Sequence, residues 1–468
     1  MDLNDKVAAL RAEMRKNGID MYMVTTEDAY LAESADDYWR TLRWLTGFYG
    51  TLAYALVTQE RAAFFTDARY IIIAGKQVGI TGVELYDVTK QGADYYLEWI
   101  VSALSGIKKS GAVFGVDGRT VTTARRELIM GALAGLDAAM DNETDLFDAI
   151  WKDRPEPGFK PIFDHAVKYT GKDRREKIND VRAEMASRGA NHYIVGTMEG
   201  VVWLTNMRGR DIVNPLFMSH VLFTNDKVKL FAKIDMIPSA LRDDLAASGY
   251  ELHDVNEAPA EIKKIPSGAS VYYDVYRTNS LLSSSVPQGA NVVRGFDIVN
   301  DLKSVKNEVE IKNFRETNIT ECVALVRFWK FLHEKIDGGN YSEYDLNFVL
   351  EDFHKRSPEF ICNGSFPTMC GYMANGASPH YNPAQETAVK VKPEGVMVVD
   401  VCAHYFGGTT DITRTIRLGP SPEFDAAIQT DYTLVLKSVI ALTRQRFRKD
   451  TDGAYLDSVA RCVLWNHH

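Results

Sequence analysis

The chain is poor in several things that define whole classes of protein. It has five cysteines (Cys322, Cys362, Cys370, Cys402 and Cys462), an odd and widely spaced set with no Cys-x-x-Cys pair. A disulfide framework and a zinc knuckle are both excluded, and the thiols read as reduced packing residues. No stretch approaches the roughly 18 apolar residues of a membrane span. The start, MDLNDKVAALRAEMRKNG, is charged throughout and lacks the apolar centre of a secretory signal. No basic tract stands out, and the net charge of −9 argues against nucleic acid or an anionic membrane as partner. A G-x-x-x-x-G-K-S/T loop is missing too, so the apolar run VMVVD at 396–400 is not half of a nucleotide site. What remains is a cytoplasmic globular protein. Its 468 residues, 46% hydrophobic, suffice for about three domains of roughly 150 residues.

An internal echo organises the first 300 residues. RAEMRKNGIDMYMV at 11–24 and RAEMASRGANHYIV at 182–195 align without a gap, and WLTGF at 44–48 is followed by WLTNM at 203–207. In the first copy, Val7, Leu10 and Met14 at helical spacing lead to Gly18, and Gly189 takes that place in the second. Such a glycine caps a helix in the left-handed conformation before a short strand. Two similar α/β domains in tandem are expected, with a break near WKDRPEPG at 151–158. The predicted strands include 54–58, 62–67, 219–224 and 228–233, the first two forming a hairpin. Residues 302–336 carry no Gly or Pro and predict one long amphipathic helix. Glycines and alternating strands then dominate from Pro358 to 419, before a helical stretch at 424–447.

The stretch VDVCAHYFGGTTDITRT, residues 399–415, holds two aspartates around a glycine-bearing turn. A hairpin centred near residues 405 and 406 sets Asp400 opposite Asp411, with Cβ atoms roughly 4.5 to 5.5 Å apart. Carboxylates that close repel, and a proton or a cation must relieve them. Oxygen donors suit Mn²⁺, Zn²⁺ or Co²⁺. The alternative is two turn-loving aspartates beside Gly407 and Gly408. His380, in a Gly/Pro/Asn-rich loop, reads either as a surface residue or as a group that orients a carbonyl or moves protons. His404 reads as an exposed turn histidine.

The run from Asp400 to Thr415 resembles the metal-binding hairpin of the M24 metallopeptidases of pita-bread fold, and the whole chain is similar to their three-domain branch, the aminopeptidases P. TDARY at 66–70, IWKDRP at 150–155, VKYTGK at 167–172, WLTNMRGRD at 203–211 and NGASPHY at 375–381 carry the rest of the resemblance. It implies two creatinase N-terminal-like α/β domains, 1–155 and 156–303, followed by an α+β pita-bread domain, 304–468, that is incomplete at its C-terminal side. It further implies hydrolysis of peptides with proline at the second position, by two divalent ions and an activated water. Manganese is the expected metal, with zinc or cobalt as alternatives. Asp400 would hold one ion, Asp411 would bridge both, and His380 would contact substrate as a catalytic residue. Dimers are common in the family. A non-catalytic, dimerising homologue and a pita-bread dipeptidase are the rival expectations.

The sequence departs from the family pattern at Cys402, where a glycine is common, and at DAY (28–30), where a D-x-H is frequent. After Asp411 the family supplies a histidine in a glycine-rich segment and two glutamates. Here Glu423, His467 and His468 are the only such residues. Glu423 reads as a helix-starting acid, the terminal histidines as a frayed end, and 456–468 as the helix that leads into the missing histidine segment. These 468 residues are therefore expected to be inactive, with apolar surface left uncovered.

Overall fold

The computed structural model describes residues 1–107, 111–337, 339–364, 366 and 368–467; His468 lies outside them. The chain forms two compact units, one made of Met1–Glu321, Lys355–Pro367 and Cys402–Thr410, the other of Cys322–His354, Thr368–Val401 and Asp411–His468.

The first unit is built on two six-stranded sheets. In the N-terminal one, helix α1 (Leu3–Lys16) leads to β1 (Met21–Thr25), and helix α2 (Thr41–Thr46) precedes β2 (Ala53–Thr58) and β3 (Ala62–Thr66). Strands β4 (Glu84–Asp87), β5 (Ala112–Val116) and β6 (Ala138–Asp141) complete it in the order β4-β3-β2-β1-β5-β6. All of β1 is buried, because Tyr22 and Val24 face one apolar cluster and Met21 and Met23 face another. A strand covered on both faces reads as an unbroken apolar run.

The second sheet follows α3 (Arg174–Ser187) and comprises β7 (His192–Val195), then, after α4 (Met198–Thr205), β8 (His220–Phe223), β9 (Val228–Phe231), β10 (Tyr250–His253), β11 (Ser270–Tyr273) and β12 (Asn291–Arg294). Its order, β10-β9-β8-β7-β11-β12, repeats the first. The capping glycines have the positive φ expected of them, 69° at both Gly18 and Gly189. The 62–67 and 54–58 runs pair as the anticipated antiparallel hairpin.

The long helix is shorter than the sequence suggests. A separate helix ends at Ser304, and α5 runs Glu308–Lys335. Asn307 makes the break: its Oδ1 accepts from the backbone of Val309 and Glu310 at 3.0 Å, while Glu310 accepts from the Asn307 N–H at 2.9 Å. Reciprocal capping of this kind restarts a helix where no Gly or Pro marks an end.

In the second unit, the inner part of α5 and α6 (Glu343–His354) pack on strands through Leu325, Phe328, Leu332, Leu346, Leu350, Cys370, Met397 and Val399. With β13 assigned to Phe360–Asn363 in the first unit, the strands that matter here are β14 (Met369–Tyr372), β15 (Gly395–Tyr405) and β16 (Gly408–Gly419), where β14 and β16 both pair with β15. Helices α7 (Asp425–Arg444) and α8 (Gly453–Trp465) follow and pack on each other. Along α7, Tyr432, Val435, Leu436, Val439 and Ile440 are exposed. Among the described residues, no helix is long and apolar enough to cross a membrane.

Candidate metal centre

Alternation along β15 decides where Asp400 points. Met397, Val399 and Val401 are buried in the apolar cluster, so Val396, Val398 and Asp400 occupy the other, half-buried face. On β16, Ile412, Ile416 and Leu418 pack with that cluster, which leaves Asp411 and Thr413 on the face that Asp400 shares. The period of two brings the aspartates to one side of one hairpin.

Their register differs from the expected one. The turn is the two-residue Phe406–Gly407, so pairing slides by two positions relative to a turn centred on 405 and 406. Thr413, not Asp411, stands against Asp400, and its hydroxyl donates to Asp400 Oδ1 at 2.7 Å. Asp411 is therefore the diagonal neighbour of Asp400, a relation with a typical separation of about 7 to 8 Å. The slide is an even number of residues, so the shared face survives.

Asp411 is exposed, yet partial desolvation, and then the charge on Asp400, raise its carboxyl above the ordinary carboxylate range. Two acceptor-only oxygen groups at diagonal spacing fit hard or borderline divalent ions, which when paired sit about 3.5 to 4 Å apart.

His380 is exposed on the loop that leaves β14 at Tyr372. Tyr372 pairs with Met397, three residues before Asp400 on β15, so the loop starts beside the strand that carries the aspartate. His404 corrects its expectation. It belongs to β15 rather than the turn and is only 6% exposed. Its Nδ1 lies 2.8 Å from Thr409 Oγ1 and its Nε2 3.2 Å from Asn214 Oδ1. Burial lowers its pKa to about 4, so it packs as a neutral ring. Glu423 is exposed in the turn before α7, and Asp425 is the acid in that helix's first turn.

One group escaped the sequence reading. Glu343, the first residue of α6, is fully buried and accepts from Tyr372 N (2.7 Å), Val389 N (3.1 Å), Tyr381 Oη (2.7 Å) and Asn375 Nδ2 (3.1 Å to each oxygen). In the sequence it stands inside Ser342-x-x-Asp345, where an acid looks like routine helix-start chemistry. Its tyrosine partner, Tyr381 of the NGASPHY segment, lies 38 residues further along the chain.

Comparison with known proteins places these features in a class. Residues 6–149 and 153–310 each match a Creatinase/Prolidase N-terminal domain, and residues 312–468 match the Metallopeptidase family M24. The fold is thus two creatinase-type α/β domains followed by an M24 pita-bread domain. A probable Xaa-Pro aminopeptidase P of Coprinopsis cinerea is 32% identical over 99% of this chain and 76% of its own length. Another, of Sordaria macrospora, is 29% identical over 100% of this chain and 77% of its own. The crystal structure of the X-prolyl aminopeptidase from Caenorhabditis elegans, described as a cytosolic enzyme with a di-nuclear active site, superposes with a TM-score of 0.90. It is 26% identical and covers 100% of this chain and 78% of the worm chain. The chain belongs to the Xaa-Pro aminopeptidase P family of M24 metallopeptidases, and the resemblance read from its motifs holds.

Proposed function

We propose that the chain serves the metal-dependent release of an N-terminal residue that precedes proline, with Asp400 and Asp411 as metal ligands and His380 as the substrate-contacting catalytic residue. The observation that carries this is the two carboxylates on one face of the β15–β16 hairpin, Asp400 half-buried and Asp411 exposed. Asp400 and Asp411 would hold two divalent ions, which when bound would supply Lewis-acid chemistry for the scissile carbonyl and its attacking water. The chain's own residues prepare that chemistry. The Thr413 hydroxyl occupies one lone-pair direction of Asp400 Oδ1 and holds the carboxylate's orientation. His380, exposed on its loop, hydrogen-bonds or protonates the reacting centre.

Manganese, peptides with proline at the second position, a cytoplasmic setting and a dimer belong to the same reading. So do domain limits at 1–155, 156–303 and 304–468. Of the five ligands that the family resemblance implies, these 468 residues supply two, so this polypeptide alone is expected to bind Mn²⁺ weakly and to turn over Xaa-Pro peptides little or not at all.

Calorimetric titration with Mn²⁺ tests the ligand assignment. Asp400→Asn and Asp411→Asn are each expected to weaken uptake by at least about tenfold, the scale on which even outer-shell changes act. Uptake unchanged in both variants would remove the aspartates from the site. Brisk hydrolysis of an Xaa-Pro peptide by the 468 residues would overturn the expected inactivity and leave the reaction class standing.

A further inference from the structure

Helix α6 does not need Glu343 to fold. Its N-terminus is already satisfied by Ser342 and Asp345, whose side chains bond each other's backbone N–H at 2.8 and 3.2 Å, and its packing comes from Leu346 and Leu350. An unpaired carboxylate in the interior is costly. Among the described residues, every hydrogen bond this carboxylate accepts comes from a single segment: the backbone at Tyr372 and Val389 closes the two ends, and Asn375 and Tyr381 pin the interior. His380 is the residue next to Tyr381. Hydrogen bonds to an ionised acceptor are roughly twice as strong as neutral ones, so four anchors on one carboxylate hold a long loop that has no strand of its own.

We infer that Glu343 is a positioning residue: through Tyr381, Asn375 and the two backbone amides it fixes the loop that presents His380 beside the strand bearing Asp400. The inference rests on the metal and substrate roles proposed above. Burial and the Glu343 charge both raise the Tyr381 phenol's pKa, which keeps it a donor across the working pH range.

Two variants separate positioning from mere core filling. Tyr381→Phe removes one anchor and keeps the ring. Glu343→Gln keeps the volume but offers a single acceptor oxygen, so the Tyr372 or the Val389 N–H loses its partner. In hydrogen exchange by mass spectrometry, both are expected to speed exchange across 373–389 by about tenfold or more, the equivalent of one charged hydrogen bond. Exchange in α6 and along 395–400 is expected to stay as in the parent. The second readout is Mn²⁺-induced broadening of the His380 imidazole signal in ¹³C-histidine-labelled chain, with the signal assigned by His380→Gln. It should be clear in the parent and at least about threefold weaker in Tyr381→Phe, as a loosened loop spends time farther from the ion.

Exchange that is unchanged at 373–389, or that rises equally in α6 and β15, overturns the clamp, as does equal His380 broadening in parent and variant. A parent that takes up no Mn²⁺ overturns the metal reading instead, and the exchange pattern then judges the clamp by itself.

Discussion

The two N-terminal sheets share strand order, mixed pairing and even side-chain anchors, yet they differ in how deeply one lysine is set. In the first, Lys6 Nζ donates to Trp44 O at 2.8 Å and lies 4.7 Å from the indole centroid. In the second, Lys177 Nζ donates to Trp203 O at 2.8 Å and lies 4.2 Å from the ring. Arg11 bonds the carbonyls of Thr58 and Arg61 across the β2–β3 turn, and Arg182 bonds those of Thr224 and Lys227 across the β8–β9 turn. The repeat thus preserves contacts as well as residue types. The difference follows from one position after the Trp-bearing helix. Gly47 ends α2 at φ 80°, whereas Asn206 ends α4 at φ 48° and adds a side chain that accepts from Lys177 at 2.6 Å and donates to Lys172 O at 2.8 Å. Asparagine is among the few residues that tolerate this conformation while supplying a hydrogen-bonding group. Lys6 stays half-buried, and Lys177 is 1% exposed. The same clamp is half-buried in one copy of the scaffold and interior in the other.

Breaking the clamps should reveal that asymmetry most strongly. Lys177→Ala strands Trp203 O and Asn206 Oδ1 in the interior and is expected to cost about 3 kcal/mol of unfolding free energy, against roughly 1 kcal/mol for Lys6→Ala. Urea unfolding of the two variants checks the ratio, and equal costs would refute the interior clamp. The pH dependence has a definite sign. Burial lowers the Lys177 pKa to about 7 from 10.5. Between those values the unfolded chain holds a proton that the folded one releases, so stability rises with pH in that window. The rise should vanish in Lys177→Ala.

The shared architecture was legible because it is written in local patterns. Val7, Leu10 and Met14, then Gly18, then a buried run specify helix, cap and strand without tertiary information. The Phe406–Gly407 turn, by contrast, was misjudged by one position at its centre, which displaced the cross-strand partner of Asp400 by two. The face on which Asp411 lies survived because side chains alternate with period two. His404 looked exposed because glycines follow it; its burial depends on Asn214, nearly two hundred residues earlier. Glu343 was illegible for the same reason, since its partners lie from Tyr372 to Val389 and no local rule links them.

A second comparison concerns the acids that follow the first strand of each repeat. At the offset that matches RAEM to RAEM, Asp28 corresponds to Glu199. Asp28 is fully buried and accepts from Tyr30 N at 2.9 Å and Ala32 N at 3.0 Å, whereas Glu199 is half-buried at the start of α4. Burial raises the Asp28 pKa to about 7 from 3.8, with a further push from Glu199. Its sign is opposite to that of Lys177. The folded state holds a proton that the unfolded state has lost, so this contribution is complete below about pH 4 and disappears as pH rises through about 7. Asp28→Asn is expected to remove that slope, leaving the variant about 4 kcal/mol more stable than the parent at pH 8 and little changed near pH 4. Thermal melts across that range decide it, and a parent-to-variant difference that does not change with pH would assign Asp28 an ordinary pKa.

The smallest difference lies at the helix starts, where the two copies are most alike. Asp2 caps α1 through a 2.8 Å bond from Asp5 N, and Asp173 caps α3 through a 2.8 Å bond from Glu176 N. The return bonds differ: Asp2 N reaches the Asp5 carboxylate at 3.4 Å, Asp173 N the Glu176 carboxylate at 2.8 Å. The longer glutamate arm closes the reciprocal box more fully than aspartate does. Asp2→Ala and Asp173→Ala should each cost about 1 kcal/mol, with the second costing a few tenths more. Asp5→Glu, which gives the first helix the arm that the second already has, should recover those few tenths in α1. Amide exchange at the first turn of each helix measures both effects, and because the comparison is made within one molecule, solvent and temperature cancel. If Asp5→Glu left the α1 first turn unchanged, the difference between the boxes would lie in the flanking chain rather than in the length of the acid.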